Sequence, residues 1–138
     1  MKYLVMVQSS QADYEAASGK ASATSPAWSE QDLQAMFKFM NELNNDLAES
    51  GEWVDGKGLS APSQTRFVEP GKDGRPVITD GPYGETKELL AGYWVLDCES
   101  LERVTEIAAR ITQCPAPEGT PVYPVVIRPI DDDGCGDV

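Results

Sequence analysis

Lys2-Tyr3-Leu4-Val5-Met6-Val7 is a run of β-favouring residues that is apolar on both of its alternating faces. Successive side chains of a strand point to opposite sides of a sheet, so this pattern predicts a central strand that is covered on both sides. The residues that follow, 8–27, are rich in Ser, Ala and Gln, contain Gly19 and Pro26, and show neither a helical nor a strand period. They are predicted to form a long loop, which we interpret as a lid.

A long amphipathic helix is predicted after this loop. Ser29 with Asp32 three residues later forms the pattern of an N-terminal capping box, and Gly51 stands where a left-handed C-terminal cap is wanted. Between these caps, apolar residues recur at helical spacing: Leu33, Met36, Phe37, Met40, Leu43 and Leu47. Such a stripe is either the core-facing side of the helix or a Met and Phe wall around a cofactor, and we favour the core.

The rest of the chain predicts further strands and a second helix. A broken strand with bulges or a bend is expected over 53–68, where Gly and Pro residues interrupt the apolar pattern. Strands are also predicted at 76–79, 91–96 and 122–128, and a helix begins after Ser100 and ends at Cys114-Pro115. Pro124 indicates that the last strand lies at a sheet edge, because an interior strand needs the backbone N–H that proline lacks.

This order predicts an α+β fold of the ferredoxin-like, β-α-β-β-α-β kind. One face of the sheet receives both helices. The other face has apolar positions that need cover, among Tyr3, Val5, Val7, Tyr93, Val95 and their alternates, and pairing of two sheets in a homodimer would provide it. We expect a single domain over 1–130 and an acidic, disordered tail over 131–138.

Composition narrows the classes of function. The 138-residue chain has 23 acidic and 11 basic side chains, so its net charge of -12 disfavours direct binding of nucleic acid or of an anionic membrane surface. No apolar run approaches the roughly 20 residues of a membrane span, and we expect a cytoplasmic protein. Cys98, Cys114 and Cys135 lack metal-ligand spacing and are predicted to be free thiols.

The chain has no histidine. Mechanisms of the Ser-His-Asp, Cys-His and His-metal types are therefore excluded, and acid-base chemistry must use carboxylates, Tyr, Lys or water. The sequence implies no metal site and no particular cofactor.

The stretch Asp80-Gly81-Pro82-Tyr83-Gly84-Glu85-Thr86-Lys87-Glu88 holds three carboxylates, a phenol and an ammonium within nine residues, and its Asp-Gly-Pro opening predicts a sharp turn. Asp80 is either a general base in a desolvating cleft or a residue that caps its own turn through backbone N–H groups. Glu85 and Glu88 are either an acid-base pair, ligands of a divalent cation together with Asp80, or side chains that are solvated or paired with Lys87 or an arginine.

Four other residues belong to the same hypothesis. Lys87 and Arg128 either hold an anionic ligand or offset nearby carboxylates, and Tyr83 and Tyr93 either line a pocket or pack. The predicted site therefore has Asp80, Tyr83 and Lys87 as catalytic residues and Glu85, Glu88, Tyr93 and Arg128 as ligand-binding residues.

The nine-residue stretch resembles the hallmark of the YCII-related family, in the branch named for a DGPF motif, with Tyr83 in place of the usual Phe. The resemblance covers nearly the whole chain, through Lys2-Tyr3-Leu4-Val5-Met6, Lys57-Gly58-Leu59, Pro62-Ser63, Gly92-Tyr93-Trp94 and Ile127-Arg128-Pro129. It implies ferredoxin-like domains that dimerise into an α/β barrel, the architecture that the element order also suggests.

The resemblance implies two kinds of function. Some relatives resemble lyases, dehalogenating enzymes or isomerases of small aromatic-derived molecules, with a proposed catalytic His-Asp pair that a chain without histidine cannot have. Other relatives are associated with extracytoplasmic-function sigma factors. Three hypotheses follow: a small-molecule lyase or isomerase, a non-enzymatic ligand-binding or regulatory protein, and a motif that is only a structural corner used in dimer assembly.

Overall fold

The computed structural model of the protein describes residues 1–81 and 87–131. Along the chain the elements are β1 Lys2–Ser9, α1 Gln11–Ala17, α2 Glu30–Ser50, β2 Trp53–Gly58, a 3-10 turn Pro62–Gln64, β3 Arg66–Pro70, β4 Pro76–Asp80, β5 Leu89–Asp97, α3 Leu101–Ile111 and β6 Val126–Pro129. Four strands form one antiparallel sheet in the order β2-β5-β1-β6, while β3 and β4 form a separate two-stranded sheet. This mixed α+β arrangement is compatible with a ferredoxin-like fold.

The core lies between the four-stranded sheet and the two longer helices. Strand β1 is central, as predicted, and its Tyr3 and Val5 are buried opposite Leu96 and Trp94 of β5. The helices contribute the other side of this cluster with Leu43, Leu47, Val104, Ile107 and Ile111. The sheet positions that remain half-buried are the alternates Leu4, Met6, Tyr93 and Val95, so Tyr3 and Val5 do not belong to the face that needs cover.

The predicted loop over 8–27 is wrong, because the segment contains α1. Ser10 and Asp13 form a complete capping box at its start: the Asp13 N–H donates to the Ser10 hydroxyl at 3.1 Å, and the Ser10 N–H donates to the Asp13 carboxylate at 3.1 Å. A helix of seven residues is too short to display a helical period. The caps were therefore the only local signal of this helix.

Two of the predicted strands are placed differently by the structure. The predicted broken strand at 53–68 is two strands: β2 has a register shift between Trp53 and Asp55, whereas β3 leaves the main sheet and pairs with β4. The last strand begins at Val126, so Pro124 precedes it. The predicted edge position is confirmed within the described sheet, but Pro124 is not the residue that determines it.

Among the described cysteines, Cys98 and Cys114 are free thiols, and Cys135 lies outside the described residues. Cys98 is fully enclosed in the core, where burial and the negative charge of Glu52 raise its pKa to about 11. The thiol therefore stays protonated and acts as a small apolar group. No helix within the described ranges is both long and apolar enough to cross a membrane.

An ion pair joins the connection between α2 and β2 to α3. Arg103 donates through Nε and Nη2 to the two carboxylate oxygens of Glu52, each at 2.9 Å. The hydrogen bonds from Arg103 lower the pKa of Glu52 by more than burial raises it, so the pKa falls to about 2 from 4.5. Because the folded-state pKa is lowered, this stabilisation is complete above about pH 4.5 and is lost as the pH falls towards 2.

We therefore expect Glu52→Gln to lower the free energy of unfolding at neutral pH by about 1.5 kcal/mol, less than the pKa shift alone implies because Arg103 is partly solvated. Urea titrations at several pH values should show the difference from wild type shrinking below pH 4.5. Glu106→Gln is the matched control, since Glu106 pairs with the same Arg103 at 3.1 Å but is exposed. A pH-independent difference for Glu52→Gln contradicts the prediction.

Candidate functional site

A cavity of about 690 Å³ opens at the end of the sheet where β1 and β2 finish and β5 begins. The sheet and the connecting segments contribute Val7, Gln8, Ser9, Trp28, Trp53, Gly56, Lys57, Gly58, Leu59, Ala91, Gly92, Tyr93, Trp94, Thr120, Pro121 and Tyr123, and the helices contribute Asp13, Tyr14, Ala17, Met36, Phe37, Met40 and Asn44. Its volume is in the range of small-molecule sites, and its walls are largely apolar and aromatic.

The stripe on α2 divides between the core and this cavity. Leu43 and Leu47 are buried in the core, but Met36 and Phe37 line the cavity, and Phe37 remains 57% exposed. Met40 contacts both the core and the cavity. The core interpretation of the stripe is thus wrong for its N-terminal part. Helical spacing identifies the apolar face of a helix, but it does not determine what that face meets.

Trp53 reaches the cavity wall because Gly56, on the same strand, has no side chain. A Cβ atom at Gly56 would lie 2.5 Å from the Trp53 ring, which is closer than real contacts allow. The indole therefore lies over the backbone of its own strand, at the register shift of β2. This local geometry places a large flat apolar surface in the cavity.

A polar corner, formed by Ser10, Asp13, Ser25 and Tyr123, lies at one side of the cavity. The Asp13 carboxylate accepts hydrogen bonds from the hydroxyls of Ser25 at 2.6 Å, Tyr123 at 2.6 Å and Ser10 at 2.9 Å, in addition to the backbone bond of the capping box. Burial raises the pKa of Asp13, but these hydrogen bonds outweigh it and hold the pKa below its ordinary value of 3.8. Asp13 is therefore ionised at neutral pH.

Tyr123 and Asp13 are the members of this corner that line the cavity. Burial raises the pKa of Tyr123 above 10.0, and the hydrogen bond to Asp13 and the charges of Asp13 and Glu88 raise it further. A hydrogen bond with Ser10 lowers the pKa but does not offset these effects. The phenol stays protonated and its proton is committed to Asp13. Its remaining lone pairs are then acceptors for an O–H or N–H group in the cavity.

Two further polar side chains are fixed in the cavity wall. The Trp94 indole N–H donates to the Asn44 Oδ1 atom at 2.9 Å, which orients the amide and leaves its NH₂ group as a donor for other partners. The Tyr14 hydroxyl donates to the carbonyl oxygens of Leu59 at 2.9 Å and Ala91 at 3.3 Å, so it ties α1 to the sheet end. Burial raises the pKa of Tyr14.

Most of the predicted site residues that the structure describes lie away from this cavity. Asp80 ends β4, is exposed, and forms an ion pair with Arg66, whose Nε is 2.6 Å from Oδ1. Lys87, Glu88 and Arg128 are exposed. Of the described members of the predicted set, Tyr93 lines the cavity, and its hydroxyl lies 3.5 Å from Asp55 Oδ2. The negative charge of Glu88 contributes to the raised pKa of the cavity residue Tyr123.

Tyr83 and Glu85 lie outside the described residues. The catalytic and ligand-binding roles given to the stretch from Asp80 to Glu88 therefore stay predictions. Within 1–81 and 87–131, no group of three or more His, Cys, Asp or Glu side chains could hold a metal ion.

The polar corner was not predicted from sequence. Ser10 and Asp13 show the spacing of a capping box, which was the one local signal, whereas Tyr123 is 110 positions from Asp13. Nothing in the sequence near Tyr123 indicates that it contacts the first helix.

Comparisons with known proteins identify the family. The sequence model of the YCII-related domain matches residues 1–126. A protein of Rhizobium meliloti (strain 1021), described as "Uncharacterized protein R00369", is 27% identical over 82 residues, which are 59% of this chain and 65% of that protein. The branch named for the DGPF motif is not distinguished by these matches and stays a prediction. On the match over 1–126, the chain belongs to the YCII-related domain family.

Proposed function

We propose that the protein binds a small, largely apolar molecule in the cavity, and that Tyr123, held by Asp13, is the polar group that orients it. The observation that carries this proposal is the 2.6 Å hydrogen bond between Tyr123 and a buried carboxylate at the side of a largely apolar cavity. In small-molecule sites, apolar walls supply affinity and a few fixed polar groups supply orientation. The aromatic and Met side chains favour a flat ligand.

The chemistry that this arrangement supports best is proton transfer of the isomerase or lyase type. A hydrogen on a carbon next to a carbonyl group would pass to the Tyr123 oxygen while the Tyr123 proton passes to Asp13. The electron pair of the broken C–H bond would move onto the carbonyl oxygen, towards a donor such as the Asn44 NH₂ group. Return of the proton to another carbon gives an isomer, and expulsion of a group from the next carbon gives an elimination product.

Ligand binding without turnover is the second candidate. It is favoured by the lowered pKa of Asp13, because a carboxylate that already accepts four hydrogen bonds is a weak proton acceptor. The resemblance to relatives associated with extracytoplasmic-function sigma factors supports a regulatory protein of this kind. Saturable binding with no chemical change in the ligand is its expected behaviour.

We further propose a homodimer in which the open sheet face is covered by the same face of a second copy, as in a dimeric α/β barrel. Leu4, Met6, Tyr93 and Val95 support it, since these half-buried side chains lie on the side opposite the helices. Tyr93 also lines the cavity, so the proposed dimer contact would lie next to the cavity wall.

Binding of two matched probes, naphthalene and 1-naphthol, tests the role of Tyr123. Both are flat and apolar, but only 1-naphthol carries a hydroxyl that can donate to the Tyr123 oxygen. We expect Tyr123→Phe to weaken 1-naphthol binding by about fivefold and to leave naphthalene binding nearly unchanged, since one hydrogen bond is worth about 1 kcal/mol. Fluorescence titration measures both affinities.

Asp80→Asn is the matched control, since Asp80 lies outside the cavity lining and is exposed. The proposal fails if neither probe binds, or if Tyr123→Phe weakens both probes equally. It also fails if Asp80→Asn weakens 1-naphthol binding as strongly as Tyr123→Phe does.

Deuterium exchange distinguishes the two candidate functions. Cyclic enones and lactones would be incubated with the protein in D₂O, and uptake at the carbon next to the carbonyl group would be followed by NMR. Proton-transfer chemistry predicts uptake that Tyr123→Phe lowers by about a hundredfold. Binding without protein-dependent uptake in any bound compound supports the regulatory candidate.

A further inference from the structure

Seven aromatic side chains line the cavity, and they include all three tryptophans of the chain. Trp94 is buried, whereas the other six are half-buried or exposed, so the protein does not cover their rings completely. The face of an aromatic ring carries partial negative charge, so rings of this kind can hold an organic cation as well as an apolar molecule. The seven are Tyr14, Trp28, Phe37, Trp53, Tyr93, Trp94 and Tyr123.

The negative charge of Asp13 is not balanced by a basic side chain within the described ranges. Asp13 lines the cavity, keeps 9% of its surface accessible and is ionised at neutral pH. Its four hydrogen bonds come from neutral groups, which are the backbone N–H and the hydroxyl of Ser10 and the hydroxyls of Ser25 and Tyr123. None of the ion pairs among the described residues involves it. Buried charges in proteins are usually paired, so a cation in the cavity would supply the missing partner.

The other charges near the cavity do not offset that of Asp13. The negative charge of Glu88 reaches Tyr123, since it contributes to the raised pKa of that phenol. Lys57 is the one basic residue among the described lining residues, but its side chain is 66% exposed and its ammonium lies 3.8 Å from the Asp55 carboxylate, which offsets it. With a net charge of -12, the chain as a whole also attracts cations and repels anions.

We propose that the ligand of the cavity is a flat organic cation, held among the aromatic rings with its positive nitrogen next to the Asp13 carboxylate. This inference rests on the function proposed above, because it specifies the class of molecule that the cavity binds. Aromatic rings attract a cation more strongly where water is excluded, and largely apolar walls exclude it. An anionic ligand is disfavoured, since its charge would lie near Asp13 and within the negative field of the chain.

Three flat probes that differ in charge test the proposal: N-methylquinolinium, its neutral isostere 1-methylnaphthalene, and the anion 1-naphthoate. Fluorescence titration or calorimetry with the full chain measures the three affinities. We expect the cation to bind about tenfold more tightly than the neutral probe, and the anion to bind more weakly than either. Added salt should weaken binding of the cation and leave that of 1-methylnaphthalene nearly unchanged, because salt screens charges.

Asp13→Asn removes the negative charge and keeps the size of the side chain. It should weaken N-methylquinolinium binding by about tenfold and change 1-methylnaphthalene binding by less than about twofold. Asp46→Asn is the matched control, since Asp46 is exposed, pairs with Arg110 and lies outside the cavity lining. It should leave both affinities unchanged. If Asp13→Asn does not fold, Glu88→Gln serves in its place and should weaken only the cation, by about twofold.

Equal affinities of wild type for N-methylquinolinium and 1-methylnaphthalene would overturn the proposal. It is also overturned if folded Asp13→Asn, or Glu88→Gln in its place, binds the cation as tightly as wild type does. Binding of naphthalene and 1-naphthol without binding of N-methylquinolinium would leave the cavity function in place and reject the cation alone. If none of the probes binds, whatever its charge, the cavity function fails and this inference fails with it.

Discussion

Asp13→Ala is expected to lower the free energy of unfolding by about 3 kcal/mol, which corresponds to a fall in melting temperature of about 10 °C for a chain of this size. The substitution removes half of the capping box of α1, which is worth about 1 kcal/mol. It also removes the acceptor of the hydroxyls of Ser25 and Tyr123, which are then left in a largely buried site without their partner. Chemical denaturation at neutral pH measures the change.

Asp32→Ala is the matched control for this substitution. Asp32 closes the same kind of capping box on α2, with the Ser29 N–H at 2.8 Å, but among the described residues it has no counterpart of the contacts with Ser25 and Tyr123. Its expected loss is about 1 kcal/mol or less. Equal losses for the two variants would show that the polar corner contributes nothing beyond the cap.

The Asp13 contribution should also depend on pH. Because hydrogen bonds hold the folded-state pKa below 3.8, the stabilisation is complete above that pH and is lost as the pH falls through the folded-state value. The difference in free energy of unfolding between wild type and Asp13→Ala should therefore decrease as the pH is lowered below 3.8.

Leu43→Ala is expected to lower the free energy of unfolding by about 3 kcal/mol, whereas Phe37→Ala should lower it by less than about 1 kcal/mol. Both residues belong to one apolar stripe of α2, but Leu43 is completely buried and Phe37 is more than half exposed at the cavity. Removing a core side chain leaves a void, while removing a cavity side chain exposes little new apolar surface. Urea denaturation of the two variants provides the measurement.

Ligand binding should rank the Phe37→Ala and Leu43→Ala variants in the reverse order, with the larger loss for Phe37→Ala. Phe37→Ala removes part of the cavity wall and should weaken naphthalene binding, while folded Leu43→Ala should bind it with nearly wild-type affinity. A large stability loss for Phe37→Ala would contradict the assignment of the N-terminal part of α2 to the cavity.

Much of the fold could be predicted from local patterns. The central strand, α2 with both caps, α3, and the strand that contains Trp94 each have a period or cap that operates over adjacent residues. Helix α1 could not be predicted from a period, because its two helical turns are too short to display one. The separation of β3 from β2 could not be predicted, because a strand pattern does not reveal which sheet the strand joins.

The candidate site could not be predicted in the same way, because its parts come together only through the fold. Asp80 belongs to a cluster of ionisable residues in the sequence, but the structure places it at the end of β4, where it pairs with Arg66. The polar corner joins Asp13 to Tyr123 across 110 positions, and α2 lines the cavity with its N-terminal half while Leu43 and Leu47 pack in the core. Such contacts depend on tertiary packing, which a sequence period does not specify.

Asp13 serves the helix cap and the polar corner with one carboxylate, which limits how this site can change during evolution. A mutation that gave position 13 a different chemistry would also weaken the start of α1, so selection for folding opposes it before any new activity is gained. Met36 and Phe37 line the cavity but do not cap a helix. Divergence of ligand preference among related chains would therefore accumulate along the N-terminal half of α2, while the polar corner stays constant.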